Sequence, residues 1–357
     1  MAVTINDIAR YCGVSKSTVS RVLNGKDRVA PHVRKRVLEG VKALRYTPNS
    51  AARVLSLKKS HTIALVVQDI RNPFFSFASW YAEKYLLQAG YRMFVCNANN
   101  DVELERETLE SMKYHGVDGV LNVGGTKDPT NLVNFHLRDN IPIVLVDREA
   151  NGFKLPAVNV DNRTGGILAT NYLLDLGHRN LVFATSDFYG TEGSRREGFI
   201  ETIARRGLRL NESSLISQSE ELWEEGECPE LEKRIHKGDI PTAIFASNDL
   251  KACQVIRVLK RNGVSVPEQT SVIGFDDISI AELTEPRLTT VRQPLREMIE
   301  HGLELLLSII SGNQDVLEPK KFGLVLVERG STAPSPRKSA RRAANPRSQK
   351  GKEVAEN

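Results

Sequence analysis

Residues 4–24 read TINDIARYCGVSKSTVSRVLN, and the spacing within them decides the fold of the amino end. Thr4 with Asp7 three residues later forms a capping box, which opens a helix through about Tyr11 with Ile5, Ile8 and Ala9 turned inward. Gly13 breaks that helix. Ser15 caps a second one, Lys16 to Leu23, whose Val19, Val22 and Leu23 form the apolar side. Small Ala9 lets two helices touch, Gly13 turns the chain, and Val19 plugs the contact: a helix-turn-helix signature. Val33, Val37, Val41 and Leu44 recur at helical spacing, so a third helix near residues 30–45 closes a small core. The second helix leaves Lys16, Ser17, Ser20 and Arg21 outward. Lys16, Ser17 and Arg21 are expected to face base edges in a major groove, with Arg21 able to fork onto guanine, while Ser15 and Arg10 hold phosphate. A protein-docking module of three helices is the alternative, and the outward cations speak against it.

Charge supports the same division. The 357 residues carry 49 Lys plus Arg against 44 Asp plus Glu, a net charge of only +5. Residues 1–60 hold 13 basic and 3 acidic side chains, and residues 334–357 hold 7 and 2, which leaves the middle of the chain at −10. A basic head on an acidic body suits a polyanion at the head alone. Cys12, Cys96, Cys228 and Cys253 stand far apart with no CxxC pair, as idle thiols of a reducing compartment would. With no apolar run near the roughly 18 residues of a membrane span and no export signal, the expected location is the bacterial cytoplasm, at the nucleoid.

Residues 47–60 (TPNSAARVLSLKKS) separate head from body, and Pro48 stops the third helix near Tyr46. Ser50 to Leu57 holds helix formers behind a cap at Asn49. It is shorter than the roughly 12–15 residues at which an isolated helix persists, so it is expected to order only on docking.

From His61 onward β-rich runs alternate with helical patterns, which specifies parallel sheets covered by helices. TIALVVQ, YRMFVCN, VDGVLNV and PIVLVD belong to one set. A second begins after AVNVD and includes NLVFAT, TAIFAS and SVIGF, giving two lobes. Ligands of open sheets sit beyond the carboxyl ends of the strands. Those positions hold Asn72, Phe74, Phe75, Asp147, Arg148, Asn248, Asp249 and Asp276, and Arg195 and Gln293 complete the set. Carboxylates and amides bind vicinal hydroxyls, a guanidinium forks onto paired oxygens, and an aromatic face covers a sugar ring, so a small polyhydroxylated ligand fits.

The amino-terminal segment resembles the lactose-repressor (LacI/GalR) family through TINDIA at residues 4–9, VSKSTVSRVLN at 14–24 and YTPNSAARVL at 46–55. The likeness runs on through NPFF at 72–75, VDR at 146–148, LGHR at 176–179, RREGF at 195–199, SND at 247–249, GFDD at 274–277, LTTVRQP at 288–294 and VERGS at 327–331. It implies an α/β fold: a three-helix helix-turn-helix head (1–46), a hinge linker (47–60) whose helix forms on DNA, a two-lobed core resembling periplasmic binding proteins (61–332), and a basic disordered tail (333–357). Leu55 would wedge into the minor groove beside Ala52 and Arg53. Phe74, Phe75, Asp147, Arg195, Asn248 and Asp276 would touch the effector, with Trp223 as an aromatic lid, although EELWEEGEC departs from the family spacing. The resemblance also implies that the helix near 295–311 returns to the first lobe, that the last strand near 322–327 joins the second, and that a homodimer binds palindromic operator DNA.

An enzyme is the rival class. Gly124-Gly125-Thr126-Lys127 lacks phosphate-loop spacing, GTEGSRREG misses GxGxxG, and neither a metal spacing of the seven histidines nor a nucleophile turn is present, so no cofactor, metal or catalytic residue is expected. The resulting expectation is a sequence-specific repressor of a carbohydrate operon, released by a sugar-type effector. Corepression, a nucleoside or phosphorylated-sugar effector, and a non-regulatory sugar-binding protein are the alternatives.

Overall fold

The computed structural model describes residues 3–23, 29–46, 59–125, 128–148, 155–186, 190–313 and 320–336, and the chain divides into two compact units, Met1–Ser60 and His61–Asn357. In the first, α1 (Ile5–Cys12), α2 (Lys16–Leu23) and α3 (Pro31–Ala43) enclose one core. Thr4 Oγ1 accepts from the Asp7 amide at 3.4 Å while Asp7 Oδ2 accepts from the Thr4 amide at 2.9 Å, which closes the capping box. Gly13 adopts the left-handed φ of 58° that reverses the chain after α1. The Thr18 amide donates to Ser15 Oγ at 3.1 Å, so Ser15 caps α2. Ile8, Ala9, Cys12, Val19, Val22 and Val37 are buried together, with Val33, Val41 and Leu44 packed against them. Ala52, Arg53, Leu55 and the anticipated hinge helix lie outside the described residues.

The second unit holds two six-stranded sheets. The first lobe contains β1 (Thr62–Val67), α4 (Pro73–Gln88), β2 (Arg92–Asn97), α5 (Val102–Tyr114), β3 (Gly119–Val123), α6 (Thr130–Asp139), β4 (Ile143–Val146) and β5 (Ala157–Val160). The second contains α7 (Asn162–Asp175), β6 (Leu181–Ser186), α8 (Thr191–Arg205), β7 (Leu215–Gln218), α9 (Glu220–Glu225), α10 (Pro229–His236), β8 (Ala243–Ala246), α11 (Asp249–Arg261), β9 (Ser271–Asp276), α12 (Ile280–Leu283) and β10 (Thr289–Arg292). Then α13 (Leu295–Ser311) returns to the first lobe, followed by β11 (Lys321–Phe322) and β12 (Val325–Val327).

Strand orders are β2-β1-β3-β4-β5-β11 and β7-β6-β8-β9-β10-β12. The lobes therefore repeat one pattern, and each reverses its strand order beside its first strand, where a crevice opens at the carboxyl ends. Every pairing is parallel except β10 with β12. The central strands are buried on both faces. Ile63, Leu65 and Val67 of β1 pack with α4 and α13, and Ala64 and Val66 pack with the side that carries α5 and α6.

Three features differ from the sequence expectation. The terminal strand is two strands: Phe322 pairs with Val160 in the first sheet, and Val325–Val327 runs antiparallel to β10 in the second. The chain thus crosses between lobes three times, before α7, before α13 and between β11 and β12. Two strands carry no apolar run. β7 is a four-residue edge strand, and β10 buries Thr289 and Thr290, whose hydroxyls bond Thr332 and Asp249. The ordered body also runs past 332: Ala333 exchanges hydrogen bonds with Ser271 and accepts one from His178, and the Ser335 amide donates to the Leu176 carbonyl. Backbone acceptors there fix residues whose composition alone reads as tail.

Helices α7 and α8 meet backbone to backbone. A Cβ at Gly166 would strike the Arg195 carbonyl, and one at Gly198 would strike the Arg163 carbonyl. Only glycine allows this approach, which sets the start of α8 against the start of α7.

Candidate functional site

Between the lobes lies a cavity of about 960 Å³, large enough for a small organic ligand. Its walls come from the segments after β1, β2, β3, β4, β6, β7, β8 and β9. Nine of the eleven sequence-predicted residues line it: Asn72, Phe74, Phe75, Asp147, Arg148, Arg195, Trp223, Asn248 and Asp276. Gln293 stands behind the wall, where its Nε2 donates to Asp276 Oδ1 at 2.8 Å. Asp249, next to Asn248, turns away from the cavity. It accepts from the Thr290 hydroxyl at 2.6 Å and the Ile278 amide at 2.9 Å.

The base of the cleft is a continuous polar chain. Asn162 Nδ2 donates to Asp147 Oδ1 at 3.5 Å, and Asn162 Oδ1 accepts from Arg195 Nε at 2.8 Å. Arg195 Nη1 donates to the Ser247 carbonyl at 2.7 Å, Nη2 lies 3.5 Å from Asp276 Oδ1, and the guanidinium carbon sits 3.8 Å over the Phe275 ring. Asp147 and Asp276 occupy corresponding positions, at the ends of β4 and β9, and both take positive φ, 52° and 108°. Burial pushes the Asp276 carboxyl up and the negative charge of Asp147 adds to it, while Arg195 and Gln293 pull it down; the result is a pKa of about 7.

Arg148 and Trp223 differ from a free cation and a movable lid. Arg148 Nη1 reaches Glu105 at 2.8 Å and Asn122 at 3.1 Å, and Nη2 reaches the Asp128 carbonyl at 3.0 Å, so the guanidinium ties the first-lobe wall together. Trp223 is 3 % exposed and donates its indole N–H to the Thr185 carbonyl at 3.0 Å, as a fixed wall. Asn72 Oδ1 caps α4 by accepting from the Phe74 amide at 3.0 Å.

Sequence reasoning missed a charged cluster on the second-lobe wall. Glu192, in the first turn of α8, accepts from Lys251 Nζ at 2.8 Å, Asn248 Nδ2 at 3.0 Å, Thr185 Oγ1 at 2.8 Å and Ser186 Oγ at 3.0 Å. Lys251 Nζ also donates to Glu220 at 2.9 Å. Burial alone would raise Glu192, but the adjacent ammonium and these hydrogen bonds hold it at about 2. At the mouth, Arg71 of the first lobe forks onto Glu224 of the second at 2.8 and 2.6 Å while also holding Asp69. None of these residues ends an apolar run, which was the signal used, and only the fold brings them together.

On the head, Arg10, Lys16, Ser17 and Arg21 are exposed along α1 and α2, with Ser15 at the start of α2. Ser15 Oγ also lies 2.8 Å from the hydroxyls of Ser17 and Thr18.

Comparison with known proteins places this geometry. Residues 4–49 match the model of bacterial regulatory proteins of the lacI family, and residues 170–332 match a periplasmic binding protein-like domain. The HTH-type transcriptional regulator DegA of Bacillus subtilis (strain 168) is 35% identical over 301 residues, 84% of this chain and 88% of the relative. A lac repressor dimer structure superposes with a TM-score of 0.80 at 22% identity, covering 93% of this chain and 100% of that one, a likeness of fold. The complex of the transcriptional regulator CelR with cellobiose superposes with a TM-score of 0.67 at 27% identity, covering 92% of this chain and 99% of that one. Carried by a helix-turn-helix head and a two-lobed body, the similarity to DegA along most of both chains shows that this protein belongs to the lacI family of DNA-binding transcriptional regulators.

Proposed function

We propose that the protein represses a carbohydrate-utilisation operon as a cytoplasmic homodimer on a palindromic operator, and that a sugar-type effector in the cleft releases it. The observation that carries this reading is the convergence of Asp147, Arg195, Asn248 and Asp276, drawn from both lobes, on one cavity. A ligand bonded to Asp147 and Asp276 together holds the lobes at a set angle, and differential affinity for that angle is all a ligand needs to shift a two-state equilibrium. The cellobiose held by CelR favours a saccharide.

On the head, Lys16, Ser17 and Arg21 read bases and Arg10 and Ser15 hold phosphate, with Ala52, Arg53 and Leu55 of the linker entering the minor groove. Exposed Phe77, Trp80 and Leu87 on α4, with Val95 on the same side of the edge strand β2, form an apolar face that a second copy covers. Function is binding throughout, with no bond made or broken.

The test is operator release followed by fluorescence anisotropy, using sugars that raise the melting temperature. Arg195→Ala is expected to bind operator like the wild type yet resist release. Release at wild-type sugar concentration from both Arg195→Ala and Asp276→Ala would remove the cleft from the mechanism.

A further inference from the structure

We propose that Lys251 and Glu220 form a donor and acceptor pair on the second-lobe wall that reads adjacent hydroxyls of an uncharged sugar, and that the cleft discriminates against phosphorylated and carboxylated ligands. The proposal rests on the cleft being the effector site and assigns it a further subsite.

Lys251 lies in the first turn of α11, 3 % exposed, and lines the cavity. An ammonium so placed gives up much of its hydration, a cost that a methionine of similar reach would not bear. Packing alone therefore does not call for a charge at this position. The ammonium has three protons, and Glu192 and Glu220 take two of them. One donor remains for a ligand oxygen.

The two carboxylates that hold Lys251 play different parts. Glu192 is filled: Lys251 and Asn248 occupy Oε1, Thr185 and Ser186 occupy Oε2. It orients its neighbours. Glu220 gives only Oε1 to Lys251, and its side chain stays 31% exposed where it lines the cavity, so acceptor capacity remains. A donor and an acceptor side by side match a vicinal diol, in which one hydroxyl accepts and its neighbour donates.

Charge carries the second half of the argument. Four cations line the cavity among the described residues, and each is already met: Arg71 by Asp69 and Glu224, Arg148 by Glu105, Arg195 by Asp276, and Lys251 by Glu192 and Glu220. Six carboxylates share the same walls, namely those of Asp69, Asp147, Glu192, Glu220, Glu221 and Glu224, beside the Asp276 carboxyl. Among the described residues, an anion entering there meets like charge with no spare cation, which in a partly desolvated site is strongly unfavourable. Neutral hydroxyls donate to those carboxylates without that cost.

The experiment is isothermal calorimetry on the full chain with neutral mono- and disaccharides, each beside its 6-phosphate and its uronic acid, plus a set of nucleosides. Wild type is expected to bind a neutral sugar at least about tenfold more tightly than its charged derivatives, and Lys251→Met and Glu220→Gln to weaken that sugar by about tenfold or more, the scale of one hydrogen bond to a charged group. Lys251→Met strands Glu192. Glu220→Gln, part-exposed and able to keep the bond from Lys251 through its one remaining oxygen while the other becomes a donor, carries the test if the first variant fails to fold. A charged derivative binding more tightly than its parent sugar, or wild-type affinity in Glu220→Gln, overturns the proposal. If Arg195→Ala loses binding while Glu220→Gln keeps it, only the diol pair falls. If Arg195→Ala also keeps it, the cleft reading falls as well, and binding of nucleosides alone, or of nothing offered, overturns both.

Discussion

The recognition face of the head and the cleft of the body handle charge in opposite ways. On α2, Lys16, Ser17 and Arg21 stand exposed around one helical turn, and the core beneath, Val19 and Val22, makes no use of them. In the cleft each cation among the described residues is already held by polar partners: Arg195 by Asn162 and Asp276, Lys251 by Glu192 and Glu220, Arg148 by Glu105 and Asn122. On the reading proposed above, the head keeps these exposed side chains available for phosphates, which arrive fully charged, and for the polar edges of bases. The body fixes its polar groups before the ligand comes, so less ordering remains when a weakly polar molecule binds. Folding and recognition are thus separable in the first region and joined in the second.

Stability measurements test that contrast. The largest effect is expected for Glu192→Ala, which leaves Lys251, Asn248, Thr185 and Ser186 short of an acceptor and should cost about 3–5 kcal/mol in urea unfolding of the body. A loss within the range of an ordinary surface substitution would break the comparison. A smaller effect belongs to pH. Asp276 titrates near 7 in the fold against 3.8 when unfolded, so the fold keeps its proton while the unfolded chain releases one. The benefit of the neutral group is fully present below about pH 4 and is lost as pH rises through 7. Wild type should therefore lose stability relative to Asp276→Asn across that window, and parallel unfolding curves for the two would remove the burial argument. The smallest effect on folding is expected at Arg21→Ala, within about 0.5 kcal/mol, because the residue is exposed. The same change should cost about 1–3 kcal/mol on operator and much less on random duplex in a binding titration. Equal losses on both would show that Arg21 holds phosphate.

The same contrast explains what was legible in advance. The head could be read because its signals are local: a capping box spans three residues, and the Ala9, Gly13 and Val19 spacing spans ten. The lobes could be read because their central strands are buried on both faces and appear as unbroken apolar runs. From strand ends alone, seven residues of the cavity wall followed, while Trp223 came from the family resemblance. What escaped depends on distance in the chain. Glu192, Lys251 and Glu220 meet only after α8, α9 and α11 have packed. β10 stayed hidden because its threonines are buried through hydrogen bonds to Asp249 and Thr332, a pattern with no apolar trace. Gln293, beyond the end of β10, supports Asp276 from behind, and strand-end position does not separate a lining residue from its prop.

The closing segment of the chain has a consequence for how the molecule is made. Met298, Ile299, Leu303, Leu305 and Leu306 of α13 belong to the first-lobe core, and Phe322 of β11 packs against it, although the rest of that lobe ends at β5. While the ribosome is still adding those last residues, the apolar side of β3, β4 and β5 that α13 covers stays open to water and to other nascent chains. A polypeptide released before residue 295 therefore has a sticky half-lobe, and its fate belongs to chaperones and proteases whatever the state of its completed head.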